Sequence, residues 1–164
     1  IYSLSYQKSD KTPEAILKLS EIMRYMLYES NDSTVELSKE LRYLENFIEL
    51  QKLRFKDNTV DFTQTGDIRD QRIAPLILIA FIENAFKHGI ANDPQNPIRI
   101  HIEVCDGALK FNVVNKESKQ NKDETGGIGL INVQRRLDLL YPEKYDLNIS
   151  TADGVYTAEL SLIL

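Results

Sequence analysis

Four polar residues that could do chemistry stand together at the end of a predicted helix over residues 75–88. Glu83, Asn84, Lys87 and His88 share one face of that helix, because at about 100° per residue their side chains span about 140°. A carboxylate, an amide oxygen, an ammonium and an imidazole suit a phosphate group with its Mg²⁺, since Mg²⁺ binds oxygen and phosphate accepts hydrogen bonds. An amphipathic helix end with an ion pair between Glu83 and Lys87 explains the same spacing equally well.

A glycine-rich segment directly before another predicted helix is the second candidate site. Glycine lets backbone N–H groups approach a ligand without a Cβ in the way, and the start of a helix attracts anions. The segment therefore suits phosphate, although glycine-rich turns into helices are common and short glycine motifs also occur by chance. Its residues are Gly126, Gly127, Ile128, Gly129 and Leu130.

The first 57 residues predict a hairpin of two helices. Thr12 and Pro13 indicate one start, with Thr12 as the cap and Pro13 at the first helical position, and this helix should reach about residue 28. Ser33 and Glu36 form a capping-box pattern for a second helix, which should run to about residue 55. Each helix has an apolar stripe that suits packing against another helix, and a piece of an ordinary helical bundle would show the same periodicity. The stripes are Ile16, Leu19, Met23 and Met26, then Leu37, Leu41, Leu44 and Ile48.

From residue 58 onward the pattern changes to strands and two helices. Residues 59–65 alternate weakly, residues 99–114 form two alternating runs around Asp106 and Gly107, and residues 147–164 do the same around Asp153 and Gly154. An Asp-Gly pair between alternating runs is a strong hairpin signal. A helix over residues 75–88 precedes the first hairpin and a helix over residues 129–141 lies between the two, so we predict an α+β fold, a two-layer α/β sandwich preceded by the helical hairpin. Residues 116–125 contain no apolar side chain and predict a mobile loop.

Composition excludes several classes of protein. The single Cys105 rules out an internal disulfide framework, and with only His88 and His101 it makes a Cys/His metal site implausible. The net charge of −5, with acids and bases interspersed, argues against direct nucleic-acid binding. No run approaches the roughly 20 apolar residues of a membrane-spanning helix. Because the chain opens on Ile1 rather than Met, we expect an excised fragment.

These motifs together resemble the ATP-binding domain of sensor histidine kinases, in the LytS/YehU-like subgroup of the GHKL superfamily. The resemblance is carried by a Glu-Asn-Ala-x-Lys-His-Gly helix end, a strand hairpin closing at Asn115, a polar loop, Gly-x-Gly-Leu and then Arg135-Arg136-Leu137. The segments 19–25 and 44–51 look like those that precede the ATP domain in this subgroup. The resemblance implies a Bergerat-type ATP-binding fold over residues 58–164. Residues 1–57 would be the remainder of the dimerisation and phosphoacceptor region.

The resemblance also implies a role for each candidate residue. Asn84 would coordinate the Mg²⁺ that bridges the phosphates of ATP, and the neighbouring Glu83 would be catalytic, polarising the attacking group or a metal-bound water. Lys87 and His88 would contact phosphate. Asn115 would accept a hydrogen bond from the adenine amino group, and the loop over residues 116–125 would be a lid. The triphosphate would be lined by Gly126, Gly127, Gly129 and Leu130.

Several positions depart from the pattern of the family. Asn115 stands where an aspartate is usual, yet an amide offers both an acceptor for the adenine amino group and a donor for the neighbouring ring nitrogen. Glu117 replaces a glycine, and Ala80 stands where the subgroup often has proline. The His-Phe-Leu-Phe-Asn motif of the phosphate-accepting histidine is absent from the sequence. We therefore expect the acceptor histidine a short distance upstream of Ile1, and a fragment unable to phosphorylate itself.

The function implied is a protein-histidine kinase that transfers the γ-phosphoryl group of ATP to that histidine and then to a response regulator, of the LytTR type by analogy. The full protein would be a homodimer, with this part as the cytoplasmic domain of a bacterial inner-membrane sensor, attached to the membrane only through an upstream segment. Two alternatives stay open: a GHKL-type serine kinase or ATPase, and a degenerate nucleotide-binding interaction module, which Asn115 supports. The N-terminal helical hairpin argues against the serine kinase and the ATPase.

Overall fold

The computed structural model describes residues 1–55, 59–90, 93–117 and 128–164, and within them it shows the predicted α+β organisation. The helices are α1 (Tyr2–Tyr6), α2 (Thr12–Arg24), α3 (Leu37–Lys52), α4 (Ile79–His88) and α5 (Ile128–Leu140), and one π-helical turn (Tyr25–Glu29) extends α2. The strands are β1 (Val35–Glu36), β2 (Val60–Gly66), β3 (Arg72–Ile73), β4 (Ile98–Cys105), β5 (Ala108–Lys116), β6 (Tyr145–Ala152) and β7 (Val155–Ile163).

Five of these strands form one sheet in the order β2-β4-β5-β7-β6, with β2 parallel to β4 and the other neighbours antiparallel. Both predicted hairpins are confirmed. Asp106 and Gly107 have φ of 52° and 76°, and Asp153 and Gly154 have φ of 52° and 74°. Two successive positive φ angles characterise the tight turns that match the twist of paired strands, so each Asp-Gly pair fixes its hairpin locally.

The inner face of the sheet is apolar and is covered by helices. In β4 the predicted alternation is confirmed, since Arg99 and His101 are exposed while the isoleucines and Val104 are buried. Helix α4 packs on this face, with the rings of Phe81 and Phe111 5.7 Å apart. On its other side α4 meets the end of α3, where the ring of Phe86 stacks on that of Phe55. Helix α4 is therefore held between the sheet and the helical hairpin.

The helical hairpin is confirmed, and α2 packs on α3 through residues outside its predicted stripe. Ala15, Ile22 and Tyr25 are buried in the hairpin, and the ring of Tyr25 stacks on that of Tyr43 in α3, 4.7 Å away. The predicted stripe of α2 does not face α3, because its members Ile16, Met23 and Met26 are half exposed. The stripe is left on the outer surface of this hairpin.

The predicted caps of both hairpin helices are wrong. Helix α2 begins with Thr12 already inside it and Lys11 at the cap, and neither α2 nor α3 has a side-chain cap. The capping box of Ser33 and Glu36 fails because Val35–Glu36 pairs with Arg72–Ile73 as β1 and β3. Helix α3 therefore begins only at Leu37, whose N–H donates to the Gln71 carbonyl. A tertiary strand pair satisfies backbone groups that the local motif would have satisfied.

Helix α4 begins at Ile79, four residues later than predicted, because the chain turns sharply before it. Leu76 has φ of 59°, a left-handed conformation that a helix cannot contain. Its N–H donates to Glu40 of α3 over 3.1 Å, so a carboxylate buried in the hairpin holds this turn. The predicted domain boundary at residues 57 and 58 lies outside the described residues and stays a prediction. Within the described ranges, no helix is long and apolar enough to cross a membrane.

Candidate nucleotide-binding site

The end of α4 presents the polar face that the sequence predicts. Its buried side consists of Ile79, Phe81, Ile82 and Ala85, which pack into the core. On the other side Glu83 and Lys87 are exposed, while Asn84 and His88 are half-buried. The four polar side chains therefore lie on the rim of α4, by which we mean the side of the helix that does not pack into the core.

Glu83 has an altered acidity even though it lies at the surface. Partial burial raises the pKa of its carboxyl above the ordinary value for glutamate. Tyr43 of α3 lies close by, and its pKa is raised to about 12, first by burial and then by the negative charges of Glu83 and Glu40. A carboxyl with a raised pKa accepts a proton more readily near neutral pH, which is what a general base requires.

The end of α4 is joined directly to the end of β5. The N–H of Gly89 closes the helix on the Ala85 carbonyl over 2.8 Å, and Gly89 then forms an isolated antiparallel bridge with Glu117. The N–H of Ile90 donates to the Lys116 carbonyl, also over 2.8 Å. These backbone bonds bring the polar end of α4 beside the last residues of β5.

Asn115 is the buried polar residue at this junction. Its side chain is 2% exposed, and its amide Nδ2 makes a long bond of 3.4 Å to the Lys116 carbonyl. Its Oδ1 is buried and accepts no hydrogen bond from any described residue. Buried acceptors are nearly always satisfied in proteins, so an orphaned one needs an explanation such as a ligand. Gly89 packs against the same amide, and a Cβ there would lie 3.0 Å from Asn115 Nδ2.

Asn115 and Tyr156 form a buried polar cluster at this junction. Tyr156 was not among the site residues predicted from the sequence. It lies directly across from Asn115 in the β5–β7 register and is 6% exposed. Burial raises the pKa of Tyr156 to about 12, and the nearby amide of Asn84 opposes that rise. The Tyr156 hydroxyl does not meet the geometry of a hydrogen bond with Asn84 or any other described residue. The β7 alternation predicts an inward Tyr156, but only the register reveals its neighbours.

The glycine-rich segment is only partly described. Gly126, Gly127 and residues 118–125 of the predicted lid lie outside the described residues. The first two residues of that predicted loop are ordered instead, since Lys116 ends β5 and Glu117 bridges to Gly89. Gly129 is the second residue of α5, where it is exposed and a Cβ would meet nothing within 4 Å. Leu130 is half-buried against the core. Among the described residues, no hydrogen bond joins Gly129 or Leu130 to Asn84 or Asn115.

Helix α5, which follows the glycines, is anchored near the start of α4. The Arg136 guanidinium donates to the Pro75 carbonyl over 2.8 Å, and the Tyr141 hydroxyl accepts from the Ala74 N–H over 2.8 Å. Both contacts fall on residues next to Leu76, whose N–H donates to Glu40. The residues after the glycines and the helix that carries Asn84 are therefore fixed to one common segment.

The described residues do not by themselves form a metal site, and they leave the buried acceptor of Asn115 unused. They contain no group of three or more His, Cys, Asp or Glu side chains that could hold a metal ion by themselves. A Mg²⁺ ion at Asn84 would therefore take most of its oxygen ligands from phosphate groups and water, as it usually does at nucleotide sites. Asn115 Oδ1 offers an unused acceptor for an amino group.

Comparison with known proteins finds sensor histidine kinases. Residues 1–59 match the histidine kinase family. The sensor protein LytS of Oceanobacillus iheyensis is 28% identical over 170 residues, which cover 93% of this chain and 29% of LytS. The chain thus spans less than a third of the length of that relative.

Solved histidine kinases share the fold. Full-length ShkA in complex with AMPPNP superimposes with a TM-score of 0.55 at 14% identity, over 91% of this chain and 35% of ShkA. ThkA in complex with the response regulator TrrA gives a TM-score of 0.50 at 14% identity, over 92% of this chain and 48% of that one. The family match at residues 1–59 and the alignment with LytS along nearly the whole chain make the chain similar to a segment of LytS-like sensor histidine kinases.

Proposed function

We propose that this chain is the ATP-binding catalytic portion of a two-component sensor kinase, which delivers the γ-phosphoryl group to a histidine upstream of Ile1. One observation carries the proposal: Asn115 Oδ1 is buried and without a partner among the described residues, beside the end of the helix that bears Glu83 and Asn84. An amino group on a flat base would satisfy that oxygen. The polar end of α4 would then lie towards the phosphates.

Each predicted site residue has a part in this mechanism. ATP supplies the phosphoryl group, and its transfer depends mainly on positioning and on neutralising phosphate charge. Asn84 would offer its amide oxygen to Mg²⁺, and Lys87 and His88 would donate to phosphate oxygens. Glu83, with its raised pKa, would take a proton from or orient the attacking imidazole. Gly126, Gly127, Gly129 and Leu130 would complete the triphosphate site.

The partners follow from the same proposal. A response regulator would accept the phosphoryl group on aspartate, and the complex of ThkA with TrrA supports a partner of that kind. We extend this to a regulator of the LytTR type. We also propose that the full protein is a homodimer anchored in the bacterial membrane by a segment outside this chain, with this portion in the cytoplasm.

Calorimetric titration of the 164-residue chain with AMPPNP, with and without Mg²⁺, tests the proposal. We expect binding that Mg²⁺ strengthens, and we expect Asn84→Ala to lose that strengthening. Asn112→Ala is the matched control, because Asn112 lies in β5 away from the cluster and bonds Glu159 at 3.3 Å. It should bind as the unchanged chain does.

Three results would contradict the proposal. Absence of AMPPNP binding at millimolar concentration, in a chain shown to be folded by circular dichroism, would favour the degenerate interaction module. Binding that Mg²⁺ strengthens equally in the Asn84→Ala variant would remove Asn84 from the metal site. A phosphohistidine formed on the isolated chain would contradict the upstream position of the acceptor.

A further inference from the structure

The segment 74–76, which we call the α4 turn, leads into α4 and is held by side chains from other parts of the fold. Tyr141, directly after α5, accepts from the N–H of its first residue over 2.8 Å, and Arg136 of α5 donates to the carbonyl of its second over 2.8 Å. Glu40 of α3 accepts from the N–H of the third residue, Leu76, over 3.1 Å. The α4 turn therefore lies between the helical hairpin and α5 and is bonded to both.

The conformation of Leu76 explains why this turn depends on such bonds. Its φ of 59° lies in the left-handed region, which is less favourable than the right-handed one for every residue except glycine. A residue stays in such a conformation only where its surroundings hold it there. The bond to Glu40 falls on Leu76 itself, so it stabilises the conformation that sets the direction in which α4 begins.

Glu40 is a carboxylic side chain inside the apolar core of the helical hairpin. It is fully buried, and Leu37 and Leu44, about one turn away on either side, are buried with it. Its Oε2 accepts from the N–H of Leu76 and from the hydroxyl of Tyr25, while its Oε1 accepts no hydrogen bond from any described residue. A buried carboxyl with an unsatisfied oxygen destabilises a core, so a leucine would suit the packing of the hairpin better. The position therefore fits a role outside the packing of the hairpin.

We propose that Glu40 is a positioning residue for nucleotide binding, which fixes the start of α4 through the Leu76 N–H and thereby places Glu83 and Asn84. Helix α4 has 10 residues and is about 15 Å long, so a tilt at its start displaces its polar end. The nucleotide site thus depends on a side chain of the helical hairpin. This inference rests on the proposed function, because it takes the end of α4 to bind the phosphates and Mg²⁺.

Tyr25 holds Glu40 from the side of α2. Its hydroxyl donates to the Oε2 that also accepts from Leu76, and its ring stacks on that of Tyr43. Tyr25 is the buried residue of the π-helical turn that extends α2, and such turns are rare and frequent at functional sites. Both helices of the hairpin therefore act on the α4 turn, α3 directly through Glu40 and α2 through Tyr25.

The test compares the affinity for AMPPNP with Mg²⁺ in the unchanged chain, Glu40→Leu and Glu40→Gln by calorimetric titration. Leucine fills the site and accepts no hydrogen bond, whereas glutamine keeps an oxygen that can accept from Leu76. We expect Glu40→Leu to weaken binding about fivefold or more, the equivalent of one hydrogen bond, and Glu40→Gln to restore it to within about twofold. Hydrogen exchange of the Leu76 amide should be faster in Glu40→Leu and remain slow in Glu40→Gln.

Ile48→Val is the matched control. Ile48 is buried in the same helix, and its apolar side chain cannot bond the α4 turn. This variant should lose stability and keep the affinity for AMPPNP, which separates positioning from the stability of the hairpin. Tyr25→Phe is a second, milder variant, which should weaken binding in the same direction. It should have no further effect in the Glu40→Leu background, because it acts only through Glu40.

Full affinity in Glu40→Leu, in a chain shown to be folded by circular dichroism, would overturn the positioning role. An equal loss of affinity in Ile48→Val, or no recovery in Glu40→Gln, would overturn it as well. If Glu40→Leu does not fold, Tyr25→Phe decides, and its full affinity would count against the proposal. If the unchanged chain does not bind AMPPNP, the proposed function itself fails; if it binds and Glu40→Leu binds equally well, this inference alone fails.

Discussion

At the scale of single residues, Gly89 is the point where the helix that carries Asn84 touches the residue proposed to bind adenine. We predict that Gly89→Ala lowers the free energy of unfolding by about 1–3 kcal/mol, the usual cost of inserting a methyl group where there is no room. The added Cβ would lie 2.3 Å from the Ala85 carbonyl oxygen and 3.0 Å from Asn115 Nδ2. Urea unfolding would measure the loss. Gly129→Ala is the control, because a Cβ at Gly129 meets nothing within 4 Å.

Replacing Asn115 by an apolar residue should weaken nucleotide binding without lowering the stability of the fold. We expect Asn115→Leu to weaken AMPPNP binding about fivefold or more, since the acceptor for the amino group is lost. The same change should leave the free energy of unfolding of the nucleotide-free chain equal or higher, because it removes an orphaned polar atom from the interior. Titration and urea unfolding of the two proteins would check this. A parallel loss of stability and affinity would show that Asn115 serves the fold instead.

Some of the site residues could be predicted from the sequence, and others could not. Glu83, Asn84, Lys87 and His88 could be placed on one face from helical periodicity alone, and the structure keeps them on the rim of α4. Tyr156 could not be found in this way. Its neighbours depend on the pairing of β7 with β5 and on how α4 crosses them, which are contacts between segments about 40 to 70 residues apart.

At the scale of elements, turns set by neighbouring residues were predicted well and helix starts were not. An Asp-Gly pair determines its own turn, so both β-hairpins follow from the sequence. The starts of α3 and α4 depend on distant partners: β1 pairs with β3, and Glu40 bonds the Leu76 N–H. A local capping signal contributes only about 1 kcal/mol, which such tertiary contacts readily exceed.

Glu40 makes the contact between the hairpin and α4 sensitive to pH. Complete burial raises the pKa of its carboxyl, while bonds from the Tyr25 hydroxyl and the Leu76 N–H and the charge of Arg136 oppose that rise. In the unfolded chain the carboxyl titrates at about pH 4.3. Because the pKa of Glu40 is higher in the folded state, the folded state keeps this proton up to a higher pH. Its stability therefore falls as the pH rises from that value through the folded pKa.

We predict that Glu40→Gln removes this contribution. The glutamine amide oxygen can still accept from Leu76, but it does not ionise, so the free energy of unfolding should fall less steeply with pH than in the unchanged chain. Urea unfolding at a series of pH values from about 4 to 8 would give both curves. Glu36→Gln, at an exposed position one turn earlier, is the control and should leave the slope unchanged. Parallel curves for Glu40→Gln and the unchanged chain would show that Glu40 does not titrate differently on folding.

At the scale of the whole molecule, the stripe of α2 is an apolar surface that this fold does not cover. Ile16, Met23 and Met26 are 51%, 51% and 50% exposed, and Leu19 between them is half-buried. They repeat at helical spacing along the face turned away from α3. An apolar stripe of this kind on a helix suits a second helix, and a second copy of the chain would supply an identical stripe about a twofold axis.

We predict that the chain associates into dimers as its concentration rises, and that Met23→Glu prevents this. A carboxylate in the middle of the stripe would have to lose its water on association, while in the monomer it stays in solvent and leaves the fold intact. Sedimentation velocity at increasing concentration would measure the association, and circular dichroism the fold. Ile163→Glu is the matched control, because Ile163 is 55% exposed in β7, outside the helical hairpin. Equal association of both variants would place the dimer contact elsewhere, and a monomer at every concentration would mean that dimerisation needs more of the protein than this chain contains.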